Sequence, residues 1–173
     1  MTSPTPLAGI KVVEFPHMVM GPTVGHILSG LGAEVVRVEP IGGDRTRRLI
    51  GSGAGYHPMY NRGKRSIALD IASAEGAAAA RDLIATADVV IENFKVGGLK
   101  KYGLDYESLA EVNPRLIYCS ITGFGQDGPY SHRAGYDYII QGMSGLMSLT
   151  GQPDGEPLRA GVAITDLLTG LSA

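Results

Sequence analysis

The sequence IKVVEFPHMVMGPTVGHILSGLGAEVVRVE, residues 10–39, contains two short apolar runs on either side of a helical pattern. The first run, Ile10 to Phe15, is rich in β-branched residues and predicts a strand. After Pro16, the segment from Gly21 to Leu31 predicts a helix, and Glu34 to Glu39 returns to strand chemistry. A strand, a helix and a strand within about thirty residues fit a right-handed βαβ unit with parallel strands.

Two further cycles of the same kind follow along the chain. In one, strands at Ser66 to Asp70 and Asp88 to Glu92 flank an Ala-rich helix from Ser73 to Ala85, which Ser73 can cap. In the other, a short helix at Tyr106 to Glu111 precedes a strand from Arg115 to Ile121. This repeated alternation predicts an α/β domain built on a parallel sheet.

Several segments fall outside this alternation. Residues Gly42 to Gly63 lack any hydrophobic period and predict a structureless ligand loop of about 20 residues. Gly123 to Ala134 predicts a second polar loop, and Asp137 to Leu149 a helix rich in Met and Gly. The last residues, Asp166 to Ala173, are typical of a helix that stops almost where it begins. That abrupt end predicts a fragment of a longer protein, and a frayed C-terminal helix is the alternative.

The composition indicates one globular domain. The 173 residues are 44% hydrophobic and 18% charged, which is enough to bury a core. Lys+Arg 15 against Asp+Glu 17 leaves a net charge of -2 and no electrostatic case for a nucleic-acid or membrane-surface partner. The single cysteine, Cys119, excludes an internal disulfide, and residues 1–7 lack the pattern of a secretory signal. A cytoplasmic location is therefore predicted.

Familiar cofactor motifs do not explain the chain. Gly51, Gly53 and Gly55 resemble a dinucleotide-binding fingerprint, but they precede His57 in a loop and do not join a strand to a helix. The four histidines are scattered, so no metal site is predicted from them. Cys119 lies in an apolar strand and is expected to be a small core residue.

Three places carry residues that suit a ligand. NRGKR, residues 61–65, ends a loop before a strand and could hold a phosphate, although composition alone favours a solvated charged turn. Asn93 and Phe94 follow a strand, where open α/β sheets bind ligands, and a turn residue beside a core aromatic is the equal alternative. Asp166 opens an apolar helix whose N-terminus would keep its carboxylate ionised, and a simple helix cap is the alternative. These residues alone do not name a reaction.

Five segments, in family order, resemble the class III CoA-transferases, which include formyl-CoA transferase and carnitine CoA-transferase and are related to the 2-methylacyl-CoA racemases. They are LAGIKVVEFPHMVMGPTVGHILSGLGAEVVRVEP, NRGKRSIALD, DVVIENFKVGGLKKYGLDYESLAEVNPRLIYCSITGFGQDGPY, RAGYDYIIQGMSGLMSLTG and GVAITDLLTG. The resemblance implies an enzyme that moves CoA from an acyl-CoA donor to a free carboxylic acid. It also implies that residues 1–173 form the N-terminal, CoA-binding, Rossmann-like domain, incomplete at its C-terminus and without the family's second domain.

In this family the aspartate of the fifth segment is the nucleophile, and that position here is Asp166. The resemblance implies that its carboxylate attacks the donor thioester to give a mixed anhydride, and that returning CoA thiolate forms an aspartyl-CoA thioester. The acceptor carboxylate then takes the CoA through a second anhydride. CoA is thus expected as a co-substrate, with no tightly bound cofactor and no metal.

The resemblance also implies contacts for CoA. His17 and Met18 match the family loop that lies along the pantetheine. Lys64 matches a lysine near the nucleotide, and Asn93 and Phe94 match the pair beside the adenine end.

Other positions depart from the family pattern. Lys101 replaces a phosphate-binding arginine, which keeps the charge and loses the bidentate fork. Pro40 stands where some relatives carry a CoA-contacting arginine, and Arg37 is close enough in sequence to replace it. Val19 replaces a glutamine near the reacting acyl group of formyl-CoA transferase, which argues against formate and oxalate as substrates.

Tyr136 bears on the choice of reaction. The racemases carry a histidine at this position, which works with the later aspartate to exchange the α-proton, whereas a tyrosine hydroxyl is a poor base at neutral pH. Transfer is therefore favoured over a racemase-like reaction. The resemblance further implies an interlocked homodimer that uses an acyl-CoA and a small carboxylic acid. A CoA-binding fragment without turnover is the alternative from a different class.

Overall fold

A computed structural model describes residues 5–173, except for the side chain of Ser52. Residues 1–4, which belong to the segment considered above for a secretory signal, lie outside the described residues. Adjacent strands of the sheet all run parallel, in the order β3-β2-β1-β4-β5, which confirms the predicted α/β architecture. The strands are β1 (Lys11–Phe15), β2 (Glu34–Glu39), β3 (Arg65–Ala68), β4 (Val89–Glu92) and β5 (Ile117–Ser120).

Helices connect and flank these strands. From β1 to β5 the predicted bounds lie within two residues of those in the structure, and Ser73 caps its helix as predicted by accepting from the Gly76 N–H at 3.0 Å. The α-helices are α1 (Met20–Gly30), α2 (Tyr56–Tyr60), α3 (Ala74–Ala85), α4 (Tyr106–Val112), α5 (Asp137–Met143) and α6 (Ile164–Ser172).

Alternate residues of the strands build a core on each face of the sheet. On one face, Val13 and Val90 pack with Ile84 of α3 and Leu109 of α4. On the opposite face, the neighbouring strand positions pack against α1 through a second buried group that includes Val24. The domain is therefore a three-layer sandwich of helices, sheet and helices.

The strand order places β1 at the point where the connections change direction. The chain passes from β1 to β2 on one side, whereas β4 pairs with β1 on the other. Loops that leave the carboxyl ends of such neighbouring strands diverge and open a crevice, where α/β proteins bind ligands. Phe15 pairs with Glu92 at that edge, so the residues that follow β1 and β4 lie side by side.

The structure corrects the prediction of a structureless segment at residues 42–63. This segment contains the 3-10 turns Arg45–Arg48 and Gly51–Gly53, followed by α2. Asp44 caps the first turn by accepting from the Thr46 N–H at 2.6 Å. Local capping and contacts with distant strands order this segment, so its composition alone did not reveal the turns.

Two predicted C-terminal helices also differ from the structure. The helix expected at residues 137–149 ends at Met143, because Gly145 adopts a φ of 82° and a separate 3-10 turn, Leu146–Leu149, follows. The last helix begins at Ile164, two residues before the predicted start. Asp166 therefore lies in the first turn of α6, and it does not cap the helix.

Among residues 5–173, no helix combines the length and the apolar character that a membrane crossing needs.

Candidate active site

Two cavities open at the carboxyl edge of the sheet, and His17 and Phe94 line both of them. The smaller, about 310 Å³, contains Asp166 and is called the Asp166 cavity. The larger, about 570 Å³, contains Tyr102 and is called the Tyr102 cavity. Because they share these two wall residues, the cavities adjoin at the crevice between β1 and β4, and together they are called the groove.

The carboxylate of Asp166 owes its position to the close packing of α6 on α1. A Cβ atom at Gly170 would lie 2.7 Å from the Cβ of Thr23 and 3.0 Å from the carbonyl oxygen of Met20. A side chain at Gly170 would therefore push the helices apart. This contact holds Asp166, one turn earlier on α6, in the wall of the cavity.

Asp137 fixes the start of α6. Its Oδ1 accepts hydrogen bonds from the Thr165 N–H at 2.8 Å and the Asp166 N–H at 3.3 Å, and also from the Thr165 hydroxyl at 2.6 Å. Its Oδ2 accepts from Gln141 Nε2 at 2.5 Å. Asp137 is buried and acts as the anionic cap of α6, bonding free N–H groups at its N-terminus.

The same geometry explains the acidity of Asp166. Burial, with a smaller contribution from the negative charge of Asp137, raises the pKa of Asp166 from 3.8 to about 6. The sequence predicted that the helix N-terminus would favour the ionised form, but Asp137 occupies the N–H groups that would do so. The carboxylate is thus ionised at neutral pH while it is partly deprived of water.

A loop that joins β5 to α5 covers one side of the Asp166 cavity. Its ends meet where Gly123 and Gly135 pack backbone against backbone, with no space for a Cβ atom on either residue. Within the loop, the guanidinium of Arg133 lies 4.3 Å from the centre of the Tyr130 ring. Arg133 and the exposed Tyr136 both line the cavity.

The loop after β1 forms the wall between the two cavities. The His17 N–H donates to Asn93 Oδ1 at 2.6 Å, and Asn93 Nδ2 donates to the His17 carbonyl at 2.8 Å. Met18 follows with a φ of 57°, in the left-handed region. His17, Met18, Asn93 and Phe94, which the sequence grouped as CoA contacts, therefore lie together beside Asp166.

The Tyr102 cavity combines apolar walls with charged side chains of both signs, because the carboxylates of Glu39, Asp44 and Asp70 line it as well. Ile41, Ile71 and Tyr102 supply apolar surface, and Arg45 also lines the cavity. The exposed Lys101 stands over the Tyr102 ring, with its Nζ 4.7 Å from the ring centre. Lys101 is thus near the groove, at the end away from Asp166.

The structure places Lys64 in the interior. Its Nζ donates to Glu14 Oε1 at 2.7 Å, to Glu14 Oε2 at 2.9 Å and to the Pro22 carbonyl at 2.8 Å. Asn61 Oδ1 lies 3.3 Å from the same Nζ, so four protein acceptors surround an ammonium that has three N–H donors. In this conformation Lys64 ties β1 to the segment before β3, in place of the nucleotide contact that the resemblance implies.

Arg37 is likewise enclosed, with 2% of its side chain exposed. It donates to Asp44 Oδ2 at 2.5 Å and to Asn61 Oδ1, and it lies 3.5 Å from Glu39. A buried guanidinium with these partners is not presented to a ligand, so Arg37 has a structural role here and does not replace the missing arginine at Pro40.

Val19 does not reach either cavity. Its side chain is 1% exposed, and its carbonyl accepts from the N–H and the hydroxyl of Thr23 at the start of α1. The substrate contact expected at Val19 is therefore not formed by this side chain.

Sequence reasoning missed the function of Asp137 and the cavity-lining position of Arg133. Both belong to RAGYD, residues 133–137, but no local pattern shows that the aspartate bonds to residues 28 and 29 positions further on. The sequence does contain one sign that the ends of the loop meet. Gly123 and Gly135 lie at these ends, and glycine allows two backbones to approach closely.

An open parallel sheet with cavities at its carboxyl edge, and a partly desolvated carboxylate in one of them, is typical of an α/β protein that binds a ligand at this edge. The family model for CoA-transferase family III matches residues 7–173. The chain belongs to CoA-transferase family III.

The chain is similar to curated CoA-transferases over nearly its whole length. It is 56% identical to succinate–glutarate CoA-transferase of Agrobacterium fabrum, covering 96% of this chain and 44% of that protein. It is 45% identical to human succinyl-CoA:glutarate CoA-transferase, covering 100% of this chain and 41% of that protein. The chain thus spans less than half the length of these relatives.

A solved structure confirms the architecture. A CAIB/BAIF family protein from Brucella suis superposes with a TM-score of 0.93 at 56% identity, covering 98% of this chain and 47% of that one. A structure from Mycobacterium tuberculosis, a D175A mutant, gives a TM-score of 0.92 at 34% identity, covering 99% of this chain and 48% of that one.

Proposed function

We propose that the protein transfers CoA from an acyl-CoA to a free carboxylic acid, with Asp166 as the nucleophile. The observation that carries this proposal is the position of Asp166, whose cavity adjoins the larger Tyr102 cavity at His17 and Phe94. A long ligand can lie along this groove with one end at a carboxylate. Membership of CoA-transferase family III supports CoA as that ligand.

The chemistry follows from the ionisation of Asp166. With a pKa of about 6, raised by burial, the carboxylate is about nine-tenths ionised at pH 7. An Asp166 oxygen attacks the donor thioester carbon, the C–S bond breaks, and CoA thiolate leaves a mixed anhydride. The thiolate then attacks the Asp166 carbonyl carbon and releases the donor acid, which gives an aspartyl-CoA thioester.

The second half repeats these exchanges with the acceptor. The acceptor carboxylate attacks the aspartyl thioester and displaces CoA thiolate, and the thiolate attacks the acceptor acyl carbon of the new anhydride. The acceptor leaves as its CoA thioester and Asp166 regains its carboxylate. No step consumes a proton or an electron pair from outside, so the site needs no separate acid, base or redox group.

For binding, we assign the nucleotide end of CoA to the Tyr102 cavity. Ile41, Ile71 and Tyr102 offer apolar surface to the adenine, and Arg45 and Lys101 offer positive charge to phosphates. The pantetheine then passes the wall formed by residues 17, 18, 93 and 94 and brings the thioester to Asp166. On this assignment, residues 1–173 are the CoA-binding part of the enzyme.

The relatives named above act on succinate and glutarate, and we propose a short dicarboxylic acid as one substrate here. Arg133 supports this choice, because its guanidinium lies in the wall of the Asp166 cavity and stacks on Tyr130. A planar guanidinium suits a carboxylate at the far end of the acyl chain.

The proposal includes a homodimer in the cytoplasm. Exposed apolar side chains on α5 and the turn after it, including Ile139, Met143 and Leu149, offer a surface for a second copy. The single cysteine, Cys119, suits a reducing compartment. Sedimentation velocity tests the dimer.

Mass spectrometry of the protein after incubation with succinyl-CoA tests the central claim. We expect a mass increase of one CoA less one water, located on the peptide that contains Asp166. The Asp166→Ala variant should bind CoA and form no adduct, whereas Asp154→Ala, which removes an exposed carboxylate in a loop, should react like the wild type.

An adduct that persists in Asp166→Ala would disprove the assignment. The racemase-like alternative is tested in deuterated buffer without an acceptor acid, because racemisation exchanges the α-proton and transfer does not. Deuterium uptake at C2 of 2-methylpropionyl-CoA would favour the alternative. A protein that binds CoA but yields neither adduct nor exchange would be a CoA-binding fragment without turnover.

A further inference from the structure

We propose that Asn93 is a positioning residue, which locks the loop at residues 16–19 as a rigid wall between the Asp166 cavity and the Tyr102 cavity. Its effect on catalysis rests on the proposed function, but the lock itself is a property of the ligand-free protein. Three features of the molecule form this lock: the hydrogen bonds of Asn93, the backbone conformation of Met18 and the contact of Asn93 with α1.

The side-chain carboxamide of Asn93 forms both of its hydrogen bonds with the backbone of His17. Its Oδ1 accepts from the His17 N–H at 2.6 Å, and its Nδ2 donates to the His17 carbonyl at 2.8 Å. Both hydrogen-bonding groups of the side chain thus face the same residue, 76 positions earlier in the chain. This reciprocal pair resembles the pairing of two strands, and it extends the contact between β1 and β4 beyond their ends.

Met18, next to the Asn93–His17 pair, has an unusual backbone conformation. Its φ of 57° lies in the left-handed region, and no other non-glycine residue among residues 5–173 has a positive φ. L-residues other than Gly, Asn and Asp rarely adopt this conformation, because Cβ crowds the following carbonyl. Surrounding contacts must hold such a conformation, and the bonds to His17 are the adjacent ones.

The first turn of α1 closes the other side of Asn93. A Cβ atom at Gly21 would lie 2.6 Å from Asn93 Oδ1 and 2.9 Å from Asn93 Cγ, so the helix backbone packs directly on the carboxamide. Asn93 itself is 8% exposed. The side chain is therefore enclosed between the loop and α1, and it cannot turn toward a ligand without breaking both bonds.

The position of this lock explains its importance for the groove. His17 and Phe94 line both cavities. His17 is one member of the Asn93–His17 pair, and Phe94 follows the other member in the sequence. A shift of the loop would change the wall along which the thioester reaches Asp166. Asn93 thus acts on the ligand through the backbone of residues 17 and 18.

Hydrogen exchange of the ligand-free protein tests the lock directly. In Asn93→Ala the His17 amide loses its acceptor, and we expect its exchange rate to rise about tenfold or more. Asn113→Ala is the matched control, because Asn113 also ties a loop through a backbone bond, from its Nδ2 to the Ala87 carbonyl at 2.7 Å. The control should leave exchange at His17 unchanged, and unchanged exchange in Asn93→Ala would overturn the proposal.

Kinetics test the consequence for the reaction. We expect Asn93→Ala to raise KM for the acyl-CoA about tenfold, whereas Asn113→Ala should leave KM unchanged. In a Met18→Gly background the loop adopts the same φ without crowding, so the effect of Asn93→Ala on KM should be several-fold smaller. A KM that stays constant while kcat falls with the folded fraction would overturn the positioning role.

Failure of the proposed function is distinguishable from failure of this inference. Wild-type protein that neither binds CoA by calorimetry nor transfers it would refute the function, while the exchange rate of the His17 amide would still decide whether Asn93 locks the loop.

Discussion

Carboxylates in two regions of this molecule have opposite acidities, although both are withdrawn from water. Glu39 is 3% exposed and bonds to Arg47 and Ser66, and chiefly its bond with Arg47 holds its pKa well below the usual range. Asp166 is more exposed, yet burial and the charge of Asp137 raise its pKa to about 6. Glu39 therefore differs from Asp166 in its neighbour: a guanidinium lowers the pKa of Glu39, whereas burial and, to a smaller extent, a second carboxylate raise the pKa of Asp166.

This difference distinguishes an interior cluster of paired charges from a carboxylate in a cavity wall. The interior cluster of Glu14, Lys64, Arg37, Glu39 and Asp44 joins β1, β2 and the segment before β3 through paired charges. Asp166 has no cation within salt-bridge distance among the described residues, since its charged neighbour is another carboxylate. A carboxylate of this kind retains its basicity for an incoming acyl group.

Removing one partner of the buried pair should have the largest effect on stability. Lys64→Met leaves Glu14 buried and unpaired, and we expect the free energy of unfolding to fall by about 3–5 kcal/mol. Urea unfolding measures the change, with the exposed Lys11→Met as the control. The double variant Glu14→Leu/Lys64→Met should lose less than Lys64→Met alone, and an equal or larger loss would show that the charges themselves are not the cause.

Asp166→Asn should have a smaller effect of the opposite sign. Because the folded-state pKa of Asp166 is raised by burial to about 6, ionisation between about pH 4 and 6 weakens the fold. The neutral variant should be about 1 kcal/mol more stable at pH 8, after allowance for solvent screening, and equal to the wild type below about pH 4. Urea titrations at the two pH values measure this, and an unchanged or lower stability at pH 8 would contradict it.

The smallest of the three expected effects is that of Asp137→Asn on the pH dependence of kcat/KM. The variant keeps an oxygen acceptor for the Thr165 N–H but removes the negative charge that contributes to the raised pKa of Asp166. The acid limb of kcat/KM, which falls as Asp166 is protonated, should move to lower pH by less than about one unit. A limb that stays in place or moves upward would show that Asp137 does not act on Asp166 through its charge.

The sheet could be predicted from sequence because its signals are local. The bounds of β2 agree with the prediction, and Ser73 caps α3 through the Gly76 N–H, only three residues away. The prediction of the candidate site has a different origin, because family resemblance and not a local pattern grouped Asp166 with the residues after β1 and β4, which line one cavity in the structure.

The rest depends on partners far apart in the chain. Lys64 is a plausible phosphate ligand from its sequence neighbours, yet its partner Glu14 lies 50 positions earlier. The same holds for residues 42–63, where Arg47 reaches back to Glu39 and orders a segment that composition describes as a loop. No pattern in a single sequence states such pairings, because burial and charge pairing are decided by the folded topology.

The contact of Gly170 with Thr23 also has a kinetic consequence. These residues lie about 150 positions apart, so α6 docks on α1 only after the chain between them has been synthesised and this long loop has closed. Docking of this kind belongs to the late, slow part of folding. A chain in which β1 and α1 have folded but α6 has not yet docked therefore lacks the part of the cavity wall that contains Asp166.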